Sequence, residues 1–271
     1  MSCTLQNLQK AEYDILCRFA DFCEQNNLNW FLDYGTMLGA VRHNGFIPWD
    51  DDIDVTMDIK SFKKFIRLFK KNPIPGLHLT WIDTEPYAPF PFAKLRMDGT
   101  YMPETDTEHM GLHEGVWIDI FTYVGTPKHP HLAALQAQLY MNFLLMTKMV
   151  GRCAQALHGQ DVSDPKHKFK FNLLKALPAR SVRHLRKFAF WLVTLFDRKN
   201  SENVLVSWWL TEKTKGIKRS HYEPLIPHVF EDRVFNIPKN YDAFLTKIYG
   251  DYMTPVLQEI HTQLDNVVLK D

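Results

Sequence analysis

Apolar residues recur at helical spacing over residues 5–28, which predicts an amphipathic helix. The run NWFLDYGT (29–36) then predicts a short strand that enters a Gly-Thr turn. The next run, TMLGAVRH (36–43), predicts a short helix with Thr36 as its N-cap, because a threonine hydroxyl can accept from the N–H groups of a first turn. The chain is therefore predicted to open with a helix, a strand and a second helix.

Four further strands are predicted before residue 125, where apolar and polar residues alternate or β-branched residues cluster. DIDVTM (52–57) is the first, and SFKKFIRLFKK (61–71) after it predicts an amphipathic helix that ends before Pro73. Loops rich in Pro, Gly and Thr separate the other three strands, which are LHLTWI (77–82), FAKLRM (92–97) and GVWIDIF (115–121).

The second half of the chain has a helical pattern over residues 131–157 and again over residues 169–209. Strands that alternate with helices, followed by a run of helices, predict an α/β (α+β) fold class. We assign the sheet to a core over residues 1–130. The helices form a region over residues 131–271 that packs on this core, and the two are expected to make one continuous globular unit.

The composition of the 271-residue chain is typical of a globular protein, with 45% hydrophobic and 23% charged residues. A formal net charge of +1 does not predict a nucleic acid partner, so any electrostatic function has to be local. The start of the chain lacks the pattern of a signal peptide, and FAFWLVTLF (188–196) is too short to span a bilayer. A cytoplasmic protein is therefore expected.

The segment IPWDDDIDVTM (47–57) carries four carboxylates within five positions. If it is extended, Asp50, Asp52 and Asp54 project from one face, because strand side chains alternate. Three neighbouring carboxylates favour a hard divalent cation such as Mg²⁺, which usually keeps room for substrate phosphates. The segment therefore indicates phosphoryl or nucleotidyl transfer.

A solvated acidic turn is the alternative for such a run. The apolar residues Ile53, Val55 and Met57 favour a half-buried strand instead, and the Gly-Thr turn upstream offers N–H groups to an anion. An EF-hand loop from Asp50 would need Gly and Glu where the chain has Val55 and Ser61. The DIDVT run also fits the DxDxT loop of haloacid-dehalogenase-like phosphatases, but no apolar strand precedes it.

Residues 31–55, FLDYGTMLGAVRHNGFIPWDDDIDV, resemble the opening block of the LicD family of phosphocholine transferases, to which the fukutin-type ribitol-phosphate transferases are related. Three later segments are similar to other blocks of that family: FAKLRMDGTY (92–101), GVWIDIFTYVGTP (115–127) and NIPKNYDAFLTKIYGDYMTP (236–255) with His261. The resemblance implies a nucleotidyltransferase-like mixed β-sheet core, with a helical C-terminal half that completes the acceptor side.

The resemblance also implies roles for individual residues. Gly35 and Thr36 would form the turn that holds a nucleotide phosphate. Asp52 and Asp54 would bind Mg²⁺ or Mn²⁺, and Asp119 would complete the metal site or take the proton from the acceptor hydroxyl. These three aspartates are therefore the candidate metal ligands and catalytic residues.

LicD relatives transfer phosphocholine from CDP-choline to a hydroxyl of a cell-surface glycan or its lipid-linked precursor. The resemblance implies this reaction for the chain, with release of CMP, in the modification of lipopolysaccharide or teichoic acid; another CDP-alcohol is an alternative donor. Two other functions stay open. One is a nucleotidyltransferase that transfers NMP from an NTP to a sugar or small molecule, and the other is a non-catalytic nucleotide- or glycan-binding protein of the same fold.

Basic residues near these blocks are candidates for substrate binding. Lys94 and Arg96 are two positions apart in a predicted strand, so they would share one face and could meet phosphate oxygens there; a solvated sheet face is the alternative. Arg42 would contact phosphate or pair with the aspartates. We expect Asp50 and Asp51 to support the site rather than bind the cation.

A choline headgroup would need aromatic partners, because a quaternary ammonium cannot donate hydrogen bonds. A structural role is the alternative for each aromatic candidate. The candidate cage residues are Trp49, Tyr101, Trp117 and Tyr123, and the candidates for the acceptor groove are Tyr249, Asp251, Tyr252 and His261.

Residues 166–199 contain ten basic residues and one acid, Asp197. Together with the apolar run at 188–196, this basic excess fits peripheral contact with the anionic inner face of a membrane, where a lipid-linked glycan would be available. A core helix with a solvated rim is the alternative.

Overall fold

The computed structural model describes residues 3–104, 107, 109–162, 168–198, 200–206, 217–255 and 264–269. Helices and strands alternate in the first part, as the hydrophobic pattern predicts. These elements are α1 (Leu5–Gln25), β1 (Trp30–Leu32), α2 (Tyr34–His43), β2 (Asp54–Asp58), α3 (Ile59–Lys71), β3 (Leu77–Thr80), β4 (Ala93–Met97) and β5 (Trp117–Gly125). The predicted mixed α/β fold class is confirmed.

The second part contains strands as well as the predicted helices. Its elements are α4 (Pro130–Leu157), α5 (Lys168–Ala176), α6 (Ala179–Thr194), β6 (Val204–Val206), β7 (Leu225–Phe230), β8 (Arg233–Pro238) and α7 (Tyr241–Tyr249). The prediction of one helix over residues 169–209 is wrong, because Pro178 separates α5 from α6 and residues 204–206 form a strand. Residues 207–209 lie outside the described part. Across the described residues, the structure has no helix that combines the length and apolar character needed to cross a membrane.

Six strands form one mixed sheet in the order β1-β2-β5-β4-β3, with β6 paired to the last residues of β5. The pair β2–β5 is parallel and the other pairs are antiparallel. The hairpin β7–β8 forms a second, two-stranded sheet that packs against β1 and α2. The parallel pair matters most for function, because it places the acidic segment of β2 beside the IDIF segment of β5.

Helices α1 and α3 close one face of the six-stranded sheet. The ring of Phe19 contacts those of Trp30 and Phe65, with centroids 5.0 and 5.4 Å apart. Packing of such large rings removes apolar surface from water and stabilises this side of the sheet. Trp30 pairs with Met57 in the strand register, so Asp54, three residues before Met57, projects from the opposite face.

A buried arginine of α6 holds the loop before β4. Arg186 is fully buried, and its guanidinium donates to the carbonyl oxygens of Pro86 (2.8 Å) and Phe90 (3.2 Å). Burial lowers the pKa of Arg186 to about 9. The ring of Phe90 lies 4.6 Å from the Lys94 ammonium, so α6 supports a charged side chain of the sheet through this loop.

Arg186→Met is expected to lower the free energy of unfolding by about 1–3 kcal/mol, because one buried and one partly buried carbonyl oxygen would lose their donors. Arg180→Met, at an exposed position of the same helix, is expected to change it by less than about 0.5 kcal/mol. Urea unfolding of both variants measures the difference. Equal stability of the two variants would contradict the anchoring role of Arg186.

Candidate active site

The acidic loop, residues 50–53, lies directly before β2. The strand begins only at Asp54, so the predicted strand start at Asp52 is wrong, and Asp50 and Asp52 lie outside β2. The reason is the short partner strand: β1 pairs with residues 55–57 and ends at Leu32, where the chain turns into α2. The side chains of the acidic loop are therefore not held to strand alternation.

The carboxylates of the acidic loop form a compact group. One oxygen from each of Asp50, Asp51 and Asp52 lies within 4.8 Å of the other two. Among the residues that the structure describes, no other three Asp, Glu, His or Cys side chains lie this close together. The predicted metal set was Asp52, Asp54 and Asp119. Of these, only Asp52 belongs to this close group, and Asp50 and Asp51 are further residues that could hold a cation.

Asp54 belongs to a polar row that crosses four strands. In the strand register, Asp54 of β2 is the neighbour of Asp119 of β5, Asp119 is the neighbour of Lys94 of β4, and Lys94 pairs with Thr80 of β3. Aligned residues of adjacent strands project from the same face of a sheet. The row therefore brings Asp119 and Lys94, which come from separate sequence motifs, to the side of Asp54.

Lys94 and Arg96 share this face, as predicted, but both are fully buried and ion-paired. The Lys94 ammonium lies 2.9 Å from an oxygen of Asp119 and 2.9 Å from an oxygen of Glu104, whose other oxygen binds Arg96. The Trp117 ring centroid lies 4.3 Å from Lys94 Nζ and 4.7 Å from the Arg96 guanidinium. These contacts favour a role in holding Glu104 and Asp119, and direct contact with phosphate stays a prediction.

The start of α2 is tied to β2 at the acidic loop. Asp33 is the N-cap, since its carboxylate accepts from the Tyr34 N–H (2.8 Å) and from the Thr56 hydroxyl (2.6 Å). The prediction that Thr36 is the N-cap is therefore wrong. Thr36 is the third residue of the helix, and its hydroxyl accepts from the Asp54 N–H at 2.8 Å. Both contacts fix the N-terminus of α2 next to β2.

Gly35 lies where the acidic loop approaches this helix. A Cβ atom at this position would be 3.0 Å from Asp50 Oδ2, so any side chain there would push this carboxylate back by a few tenths of an ångström. The preceding residue, Tyr34, has a left-handed φ of 41°, which is uncommon for a residue with a side chain. The predicted Gly-Thr turn is present beside an acid of the loop, and its use in phosphate binding stays a prediction.

The closing segment meets the other end of α2. Arg42 donates to the Tyr252 carbonyl oxygen at 2.7 Å, which joins α2 to the residues after α7. Burial lowers the pKa of Arg42, and the charge of Asp50 opposes this effect. Tyr249 of the predicted acceptor groove keeps 37% of its surface exposed. Desolvation and then the charge of Asp54 raise its pKa, which places it on the side of the acids.

Two of the four aromatic residues predicted for a choline cage are buried in the protein. Trp117 lies against Lys94 and Arg96, and Tyr123 donates its hydroxyl to Glu223 at 2.6 Å. Trp49 is half-buried and Tyr101 is exposed, so these two keep accessible ring surface. Of the other predicted groove residues, Tyr252 is buried, Asp251 is exposed, and His261 lies outside the described residues.

Burial and like charges shift the titration of the site acids. Burial, and then the charges of Asp50 and Asp119, raise the pKa of Asp52 to about 8. Burial also raises the pKa of Asp119, although the charge of Lys94 opposes the increase. For Asp54, burial and then the charge of Asp52 raise the pKa well above its ordinary value.

The donor atoms of this site suit a hard divalent cation. Asp54 Oδ1 is buried and has no hydrogen-bond partner among the described residues. The charges of Asp52 and Asp119 act on Asp54. Carboxylate oxygens are the preferred ligands of Mg²⁺ and Mn²⁺. A cation among them would stabilise their ionised forms and lower the raised pKa values.

Two residues of this arrangement were not predicted from the sequence. Asp33 caps α2, and Glu104 holds Lys94 and Arg96 from the loop between β4 and β5. A signal for Asp33 exists, since aspartate before a helix is a common N-cap. No periodic pattern covers the loop that carries Glu104, so its position follows only from the tertiary structure.

Asp52→Asn is expected to stabilise the cation-free protein more at pH 8.5 than at pH 5. Because the folded-state pKa of Asp52 is raised, the folded protein binds this proton more tightly, and ionisation weakens the fold as the pH rises through about 4 to 8. The extra stabilisation at pH 8.5 should be on the order of 1–2 kcal/mol, less than the full shift implies, because Asp52 is half-buried.

Denaturant unfolding in EDTA at both pH values measures this difference, with Asp161→Asn as the control at an exposed acid. The control should differ from the wild type by the same small amount at each pH. A stability difference between wild type and Asp52→Asn that does not change with pH would contradict the raised pKa of Asp52.

Comparison with known proteins finds similarity over the region that contains this site. Residues 27–124 match the family model described as LicD/FKTN/FKRP, nucleotidyltransferase domain. Over 256 residues, the chain is 25% identical to the lipopolysaccharide cholinephosphotransferase LicD of Haemophilus influenzae, which covers 92% of this chain and 91% of that protein.

Shorter similarities occur to two uncharacterized rickettsial proteins. The protein of Rickettsia typhi is 35% identical over 71 residues, which are 25% of this chain and 21% of that protein. The protein of Rickettsia prowazekii is 40% identical over 52 residues, which are 19% of this chain and 17% of that protein. The matched domain contains α2, the acidic loop, the polar row and almost all of β5. Residues 27–124 are thus similar to the nucleotidyltransferase domain of the LicD/FKTN/FKRP family, and the candidate site lies within this region.

Proposed function

We propose that this protein is a phosphotransferase that moves phosphocholine from CDP-choline to a hydroxyl of a cell-surface glycan or its lipid-linked precursor and releases CMP. The family match and the name of the Haemophilus relative support this reaction class. The observation that carries the proposal is geometric: within the matched domain, the acidic loop and the aligned pair Asp54 and Asp119 lie beside the N-terminus of α2.

We assign a divalent cation, Mg²⁺ or Mn²⁺, to this site. Asp52 and Asp54 would hold it, with Asp119 as a further candidate ligand. When bound, the cation would neutralise charge on the donor diphosphate and on the departing CMP. The unsatisfied Asp54 Oδ1 and the close approach of the loop carboxylates support this assignment.

The residues of the chain would orient the donor and the acceptor. The first N–H groups of α2, at Gly35 and Thr36, lie at the positive end of the helix dipole and would bind a donor phosphate. Lys94 fixes the Asp119 carboxylate through their 2.9 Å ion pair. Asp119 would then accept the proton of the acceptor hydroxyl or complete the cation site.

The transfer breaks the phosphoanhydride bond of the donor and forms a phosphodiester with the acceptor. A bond forms between the acceptor oxygen and the phosphorus of phosphocholine, and the bond from that phosphorus to the CMP oxygen breaks. CMP leaves with the electron pair, and the hydroxyl proton passes to Asp119 or to solvent. Tyr249, close to Asp54, and the segment that Arg42 anchors at Tyr252 would border the acceptor.

Helices α5 and α6 provide a surface that fits an anionic membrane. Between Lys168 and Thr194 the chain has no Asp or Glu. Phe188 (54% exposed) and Trp191 (49% exposed) stack on each other with ring centroids 5.6 Å apart. Other exposed residues of the two helices include both apolar and basic ones. The apolar ones include Phe169, Leu173 and Leu185, and the basic ones include Lys168, Lys170, Lys175 and Arg180.

A cavity of about 410 Å³ lies next to this surface, between α3 and α6, and it is lined both by aromatic rings and by lysines. We propose that the surface contacts the membrane where a lipid-linked acceptor would lie. Aromatic rings would enter the headgroup region while the basic side chains bind anionic lipid.

With CDP-choline, Mg²⁺ and a lipopolysaccharide acceptor, the protein is expected to release CMP, measured by nucleotide chromatography. Asp54→Asn should reduce the rate at least about 100-fold, because a lost carboxylate ligand removes charge stabilisation worth several kcal/mol. Asp161→Asn, at an exposed acid, should keep the wild-type rate. CDP-ethanolamine and CDP-ribitol in the same assay test the choice of headgroup.

Three results would count against parts of this proposal. Pyrophosphate release from an NTP, without CMP release from CDP-choline, would identify a nucleotidyltransferase instead. Turnover of Asp54→Asn near the wild-type rate would contradict the role of Asp54. Nucleotide binding with no turnover of any donor would contradict an enzymatic function.

The protein is expected to float with vesicles that contain phosphatidylglycerol at low salt, and to bind less at high salt because the lipid charges are screened. The double variant Phe188→Ser, Trp191→Ser should lose most of this binding. Val229→Ser with Val234→Ser removes an equally exposed apolar pair, on the β7–β8 hairpin, and should bind as the wild type does. If neither the wild-type protein nor the variants float with the vesicles, the proposed membrane contact of α5 and α6 is contradicted.

A further inference from the structure

An acidic residue occupies a core position of α1. The helix buries its apolar face through Leu8, Ile15, Leu16 and Phe19, each completely shielded from solvent. Glu12 lies on this face, four residues after Leu8, and it is shielded to the same extent. Glutamate is rarely found fully buried unless it is paired, so this residue needs a physical explanation.

Glu12 has no partner that would compensate its burial. Neither of its carboxylate oxygens has a hydrogen-bond partner among the described residues. Asp33, Glu104 and Asp119 differ in this respect, since Asp33 accepts two hydrogen bonds and the other two are ion-paired with Lys94. A buried carboxylate without a donor or a cation is unfavourable.

The face of α1 that carries Glu12 lies along the chain that leads into β2. Gln9, three residues before Glu12 and therefore on the same side of the helix, donates to the carbonyl oxygens of Asp50 (2.9 Å) and Ile47 (3.4 Å). Helix α1 thus holds the backbone of the acidic loop through Gln9, and Glu12 follows one turn later.

The charges that act most strongly on Glu12 are those of the acidic loop. Burial, and then the carboxylates of Asp52, Asp51 and Asp50, raise its pKa. The next contribution comes from Asp119, which is again a carboxylate. Glu12 therefore lies near the three carboxylates whose oxygens are within 4.8 Å of one another, although its own oxygens do not share that spacing.

We propose that Glu12 binds a divalent cation together with Asp50, Asp51 and Asp52, so that α1 contributes a ligand to the cation site of the acidic loop. The cation would be of the hard, oxygen-preferring Mg²⁺ or Mn²⁺ class, because the group offers carboxylate oxygens and no sulfur or imidazole. The proposal rests on the proposed function only in that the same loop supplies Asp52. It also implies that cation binding joins α1 to the loop and stabilises the fold.

The test uses Mn²⁺ alone with the full chain and needs no donor or acceptor. Glu12→Gln removes the charge and keeps the shape, while Glu12→Met fills the core position with an apolar side chain. Both are expected to bind Mn²⁺ about tenfold more weakly or worse, as measured by electron paramagnetic resonance. Both should also lose most of the rise in melting temperature that Mn²⁺ produces in the wild type.

Asp14→Asn is the matched control, because Asp14 is a partly exposed acid on the same helix that pairs with Arg18. It should bind Mn²⁺ as the wild type does. Circular dichroism of each variant verifies that it is folded. Wild-type affinity and a full Mn²⁺-induced shift in both Glu12 variants would overturn the proposal, and so would the absence of Mn²⁺ binding by the wild type.

These outcomes are independent of the transfer reaction. Mn²⁺ binding that depends on Glu12, without CMP release from CDP-choline, would leave this proposal standing and contradict the proposed function. CMP release together with normal Mn²⁺ binding by both Glu12 variants would support the proposed function and contradict the role of Glu12. Mn²⁺ binding that is lost in Asp54→Asn but kept in the Glu12 variants would place the cation on the strand and away from α1.

Discussion

The crowding of carboxylates at the start of β2 is the constraint on which the rest of the site depends. Two ionised groups about 4 Å apart repel each other by about 1 kcal/mol in water and by several times more when they are partly buried. The chain holds this segment mainly through backbone contacts. Thr36 accepts from the Asp54 N–H, Gln9 donates to the Asp50 carbonyl, and the Ile53 carbonyl accepts from the Asp119 N–H. Such contacts keep the loop in place whatever the charge of its side chains.

The two cations of β4 are engaged mainly by acids outside the acidic loop. Lys94 and Arg96 are both engaged by Glu104, and Lys94 also binds Asp119. The aromatic rings of Trp117 and Phe90 enclose the same lysine. These cations therefore build a rigid, nearly neutral floor on β4 and β5, while the acidic loop beside it keeps a negative excess. A site with a fixed floor and an excess of hard oxygen ligands is suited to a divalent cation and the phosphates that accompany it.

The elements that were predicted well have strong periodic patterns and local end signals. The amphipathic faces of α1 and α3 and the alternation in β2 and β4 belong to this class. The β7–β8 hairpin was missed because its two-residue turn, Glu231 and Asp232, has no glycine or asparagine to mark it, although Glu231 adopts a left-handed φ of 56°. The strand β6 is only three residues long, and its pairing with β5 decides its structure more than its own sequence does.

The sequence by itself determined the chemistry available to this protein: a run of aspartates, a Gly-Thr turn before it, and a further aspartate in an apolar strand, arranged as in the LicD family. These are local properties of residue type and spacing. Only the tertiary structure decided that Asp54, Asp119 and Lys94 form one row, that Glu104 neutralises the lysine, and that Glu12 reaches the acidic loop from α1. The reason is physical, because strand register and burial depend on segments far apart in the chain, and no local pattern encodes which of them meet.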